Sequence, residues 1–139
     1  MTADDLARRC AERMYADDPA SQALGITISA VAPGRATAKM AVRPEMLNGH
    51  DICHGGYVFT LADTAMAFAA NTYDDVTVAA GADISFLEPV HAGAVLTATA
   101  VERFRRGRTG LYDVTVCTPD GAVVAEFRGR TRSLGRQLL

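Results

Sequence analysis

Residues 55–73, "GGYVFTLADTAMAFAANTY", set the architecture of the chain. From Tyr57 to about Ala70 apolar side chains lie all round a helical wheel, the pattern of a helix enclosed by protein instead of resting on its surface. Two glycines, Gly55 and Gly56, open it. A helix start presents free backbone N–H groups and a partial positive charge, and such donors stabilise developing oxyanions. Within the apolar run stands one carboxylate, Asp63. It reads either as a buried aspartate satisfied by a serine, threonine or backbone partner, or as a carboxylate whose apolar setting strengthens it as base or nucleophile.

Outward from this helix the text changes period. Upstream, "GITISAVAPGRATAKMAV" over 25–42 alternates and is rich in β-branched residues, with Pro33-Gly34 as a turn, so a hairpin is expected. Downstream, strands are expected at about 76–87, 94–105, 109–118 and 122–133, punctuated by Pro89, Gly93, Gly107, Pro119 and Gly121. Near the beginning Leu6, Cys10 and Met14 recur every fourth residue between charged ones, an amphipathic helix over about 3–17 that should pack on something larger. The expected fold class is α+β, an antiparallel sheet wrapped around one long buried helix, in a single domain over 1–139.

Composition narrows the function. With 139 residues, 49% hydrophobic, one core is expected, and a formal charge of -2 with mixed signs argues against nucleic acid as a partner. Lys39 is the only lysine among the basic residues, which leaves arginine forks available for phosphates. Three dispersed cysteines, Cys10, Cys53 and Cys117, imply no disulfide framework and suit a reducing, cytoplasmic setting. The opening "MTADDLARRCAERM" lacks the apolar core of a secretory signal, and no uncharged run reaches the roughly 18 residues of a membrane span.

Just before the helix, "NGHDICHGG" over 48–56 crowds His50, Asp51, Cys53 and His54 into a few positions. A metal site needs side chains that converge, and neither CxxC nor HExxH spacing is present, so no metal is expected. A Cys53–His54 nucleophile also fits poorly, because adjacent residues rarely aim at one another. The glycines point instead to an oxyanion site. Asp63 follows Gly55 by eight residues, so the two lie ~12 Å apart along one axis. Two antiparallel copies of the helix across a dimer axis would bring Asp63 of one chain to the amides of the other.

The combination "MLNGHDICHGGYVFTLADTA", with "ISFLEPVHAG" and the closing strands, resembles the hotdog-fold acyl-CoA thioesterases, specifically those of phenylacetic acid degradation, of hydroxyphenylacetyl-CoA type. The likeness covers about residues 20–134 and is most specific over 46–66, where Asn48, His54-Gly55-Gly56 and Asp63 appear together. It implies that Gly55 donates its N–H to the thioester carbonyl, with Gly56 beside it. It also implies that Asn48 orients water or the thioester, that His54 holds the loop and polarises the site, and that Asp63 is general base or nucleophile across a homodimer interface. A homotetramer is implied as the assembly, and acyl-CoA as substrate with no separate cofactor.

One departure stands out. Many relatives carry a serine or threonine where Ala79 falls, leaving Thr64 or Thr77 to supply the hydroxyl, or Asn48 alone to position water. For coenzyme A, Arg105, Arg106 and Arg108 around Gly107 are candidates, as are the alternating Arg128, Arg130 and Arg132; a solvated basic hairpin is the bland alternative. Met46, Leu47, Phe59, Met66 and Phe86 are either acyl-pocket lining or core. A hotdog dehydratase and a non-catalytic acyl-CoA-binding domain are the competing functions.

Overall fold

In the computed structural model, which describes Met1–Leu139, the long helix runs from Gly55 to Ala70 (α3). Before it come α1 (Ala3–Ala16), a short α2 (Pro19–Ala23), β1 (Thr27–Ala32), β2 (Arg35–Ala41) and one 3-10 turn at Pro44–Met46. After it come β3 (Thr77–Phe86), β4 (Val95–Arg106), β5 (Thr109–Cys117) and β6 (Val123–Ser133). The expected elements are all present. The additions are α2, capped by Asp18 with Pro19 at its first position, and the Pro44 turn; both are short and carry no periodicity to detect.

All six strands form one antiparallel sheet in the order β1-β2-β4-β5-β6-β3. The chain leaves β2, crosses by α3 to the far edge at β3, and fills the middle with β4, β5 and β6. This crossover lays α3 across the sheet. Small residues make the approach close: Ala36 and Ala38 on β2, Ala98 and Ala100 on β4 and Ala125 on β6 are buried, as are Ala62, Ala65 and Ala69 on the helix. At Gly129 the Met66 thioether occupies the space a Cβ would need, so this position of β6 accepts only glycine without repacking. α1 packs beside β1, burying Ala7 and Cys10, and starts with a capping box between Thr2 and Asp5.

The long helix packs on the antiparallel sheet as expected, with one of its sides less covered. The helix is apolar all round, yet the sheet covers only one side of it: Val58, Leu61, Ala65, Met66 and Phe68 are buried, while Phe59 is exposed and Thr60, Asp63, Thr64 and Ala67 are half-buried. A single chain therefore does not enclose α3.

Candidate functional site

The segment before α3 is a tied loop. Leu47 and Cys53 form an isolated antiparallel bridge. Inside it the Asn48 side-chain oxygen accepts from His50 N–H at 2.9 Å and from Ile52 N–H at 3.4 Å, while Asp51 adopts φ 63°. Asn48 thus shapes the loop through its oxygen and keeps its amide NH2 group free, a role the Asn-Gly pair signals in the sequence. Below the bridge, Cys53 N–H donates to Val90 O at 2.7 Å and His54 N–H to Met46 O at 2.8 Å. These bonds fix where α3 begins.

His54 is the N-cap. Its Nδ1 accepts Gly56 N–H at 2.9 Å, so a neutral ring carries its proton on Nε2, and the ring stands edge-on to Tyr57. Tyr57 N–H donates to His54 O. The next donor in order, Gly55 N–H, meets no acceptor in the chain. Over it lies Phe86: a Cβ built on Gly55 would come within 2.9 Å of the Phe86 Cζ. The ring thus rests where a Gly55 side chain would sit, and the Gly55 N–H is left free at a helix start, the arrangement that binds an oxyanion.

Asp63 is the second open group. Gly55, Phe59 and Asp63 fall four residues apart and share a stripe of the helix that begins against the sheet, with Phe86 on Gly55 and Phe127 on Phe59, and leaves Asp63 half-buried. The carboxylate makes no hydrogen bond or ion pair, and partial burial pushes its pKa up from the ordinary aspartate value. Thr64 beside it is half-buried, its hydroxyl also without a protein partner. Ala79 is exposed on β3, and the Thr77 hydroxyl donates to Asp75 O, so Thr77 is engaged elsewhere.

The cysteine is not poised for attack. Cys53 is buried, burial pushes its thiol up, and its Sγ sits 3.6 Å from His54 O, not from an imidazole nitrogen. No three His, Cys, Asp or Glu side chains converge anywhere in the chain.

The arginines separate. Arg128 pairs with Asp113 at 2.6 Å and Arg103 joins the same carboxylate at 2.8 Å; together they hold the Asp113 carboxyl down at about 2. Arg130 faces Asp83 at 3.5 Å and Arg105 stacks on Tyr73 at 3.8 Å. Arg106 and Arg132 have no acidic partner, and Arg108 packs against Gly135. The apolar candidates separate too: Met46 and Met66 are wholly buried core, while Phe59 and Phe86 are exposed at 36% and 55%. A cavity of about 730 Å3 between α1 and β1 is walled by Ala11, Tyr15, Ile28 and Val31 and contains none of these groups.

A polar cluster at the other end of α3 went unnoticed in the sequence. Tyr73 and Tyr112 both donate to Glu102 Oε1, at 3.0 and 2.9 Å. No spacing rule links three residues from a loop and two strands.

Known proteins share this fold. A model of the Thioesterase superfamily matches residues 50–125, from the tied loop into β6. The acyl-coenzyme A thioesterase PaaI of Escherichia coli is 44% identical over 125 residues, 90% of this chain and 89% of that protein. The solved structure of the E. coli PaaI protein from the phenylacetic acid degradation operon superposes with a TM-score of 0.96, covering 98% of this chain and 99% of that one at 41% identity. A variant of the phenylacetic acid degradation protein PaaI from Thermus thermophilus superposes with a TM-score of 0.81 at 38% identity, over 84% of this chain and all (100%) of its own. The chain belongs to the Thioesterase superfamily and has its hotdog fold, as the resemblance implied.

Proposed function

We infer that the chain is an acyl-CoA thioesterase for phenylacetyl-type aromatic or medium-chain acyl groups, releasing the free acid and coenzyme A. The observation that carries this reading is the pair of unsatisfied groups on one stripe of α3: the Gly55 N–H and the Asp63 carboxylate. The acyl-CoA class and the aromatic acyl group follow the E. coli relative and the operon of its solved structure.

The carbonyl oxygen of the thioester accepts from Gly55 N–H, which stabilises the negative charge that builds on it. Asp63 takes a proton from water as the water oxygen bonds to the carbonyl carbon; the tetrahedral adduct then expels the coenzyme A sulfur, and the proton held by Asp63 returns to it. In the alternative route the carboxylate itself attacks and water cleaves the resulting anhydride; single-turnover hydrolysis in 18O-water distinguishes the two by whether label enters the protein. His54, its Nδ1 committed to Gly56, holds the donor in place. Asn48 uses its free NH2 group to orient water or carbonyl.

Asp63 and Gly55 of one chain are separated by ~12 Å of helix, so a homodimer completes each site. Two features support it: the less covered face of α3, and the long edge strand β3 with Val78 exposed, whose unpaired backbone groups suit a second copy in antiparallel register. A dimer of such dimers is the assembly we propose. Arg106 and Arg108 at the β4–β5 turn meet the coenzyme A phosphates, with Gly56 and Thr64 flanking the thioester. Free cysteines suit the cytosol, no helix is long and apolar enough to cross a membrane, and the single domain needs no cofactor beyond the coenzyme A of its substrate.

Incubating the purified protein with a panel of acyl-CoAs and following thiol release tests the activity: absence of hydrolysis across aromatic and aliphatic members would overturn it. Mixing Asp63→Asn subunits with Gly55→Val subunits tests the shared site. Heterodimers should regain activity, since one of their two sites then holds both intact groups; verified, folded heterodimers that stay inactive refute the cross-subunit arrangement.

A further inference from the structure

Phe86 combines three properties that a core residue would not. Its register partner is Ala125, and Ile84 is partnered with Phe127; since paired residues share a face and both partners are buried, Phe86 points to the helix side of the sheet. It ends β3 at the sheet edge, so its ring overhangs the start of α3 and rests on Gly55, where a Cβ would meet three ring carbons at 2.9 to 3.3 Å. Yet 55% of it is exposed. One helical turn along the same stripe, Phe59 packs edge-on against Phe127 with centroids 5.3 Å apart and is itself 36% exposed. Phe86 thus rests on Gly55 itself, and Phe59 follows one turn further along the helix.

A thioester whose carbonyl accepts from Gly55 must send one arm past these rings. The pantetheine arm carries two amides that lose their water there and find no partner on aromatic carbon, a costly exchange. An acyl chain loses nothing polar, and an aromatic acyl group gains ring contacts with a preferred edge or offset geometry. We propose that Phe86, together with Phe59, forms the acyl wall beside the Gly55 donor, and that Phe86 sets selectivity for aromatic over small acyl groups. This inference rests on the thioesterase reading above and names the residue that sorts its substrates.

The test is the ratio of kcat/KM for phenylacetyl-CoA to that for acetyl-CoA in the wild type, Phe86→Ala and Phe86→Leu. The ratio should fall at least about tenfold in Phe86→Ala and less in Phe86→Leu, which keeps apolar bulk without the ring. Should Phe86→Ala fail to fold, the leucine variant carries the measurement. A ratio within about twofold of wild type in the folded variants overturns the inference, as does an equal fall for both substrates, which would assign the ring to the pantetheine arm. If the wild type hydrolyses neither substrate, the thioesterase reading fails and this inference with it; hydrolysis with an unmoved ratio overturns the inference alone.

Discussion

The two ends of α3 are built on opposite principles. At its C-terminal end polar groups are matched. Asn71 donates to Ala67 O and Thr77 O and accepts from Thr77 N–H, and the Thr72 hydroxyl takes Gly34 N–H and donates to Ala69 O. Ser133 bonds Asp75, and Glu102 receives two tyrosine hydroxyls. At its N-terminal end the Gly55 N–H has no partner, Asp63 four residues beyond Phe59 has none, and the neighbouring aromatic ring is more than half exposed. Buried polar groups in folded proteins are nearly always paired. Where such groups are held without a partner in their own chain, a substrate or a second chain is the partner proposed above, and the paired end supplies the rigidity.

The largest expected effect breaks the open end. Asp63→Asn should lower kcat by about a thousandfold or more, with binding of acyl-CoA largely kept, as measured by thiol release and by competition with a bound acyl-CoA. Its stability should move the other way. A carboxyl whose pKa is raised by folding costs stability when ionised, so the asparagine variant should melt higher at neutral pH, with the difference shrinking as pH falls below the raised Asp63 pKa. In the wild type the acidic limb of kcat/KM should lie above the ordinary aspartate range, because the ionised form acts. Retention of activity in Asp63→Asn would remove the contrast between the ends.

Next in size is damage to the closed end. Glu102→Ala strands the hydroxyl of Tyr112, which is 1% exposed and whose pKa is raised by burial first and by Glu102 second. Loss of about 1–3 kcal/mol of stability by chemical denaturation is expected, with kcat in the folded protein unchanged within about twofold. A comparable fall in kcat would mean the two ends are coupled.

Asn48→Ala should lower kcat by about tenfold, through a looser loop and a lost orienting amide, and Asn48→Asp should restore the loop bonds without restoring the amide. The smallest effect is expected at Cys53→Ala. The thiol is buried and unactivated, so activity should stay within a few-fold and stability should fall by about 1 kcal/mol. Complete loss in a folded Cys53→Ala protein would reassign the nucleophile.

Much of this was legible in linear text because it depends on local rules. The boundaries of α3 follow from Gly55-Gly56 and the apolar wheel, the β1–β2 hairpin from Pro33-Gly34, and the strand limits from glycines and prolines between alternating runs. Asp63 stood out because a carboxylate in an apolar helix has a cost that a reader of the sequence can see. Other features depend on distance through space. Nothing in the text places β3 beyond β6, separates Arg128 and Arg130, which face acids, from Arg106, which does not, or sorts Met46 and Met66 into the core while leaving Phe59 and Phe86 at the surface. Periodicity reports that a side chain is apolar and which face of its own element it shares. Whether that face meets a sheet, a ligand or a second copy depends on how elements far apart in sequence are stacked, and only the folded sheet shows that the Gly55 N–H and the Asp63 carboxylate are both left without a partner in their own chain.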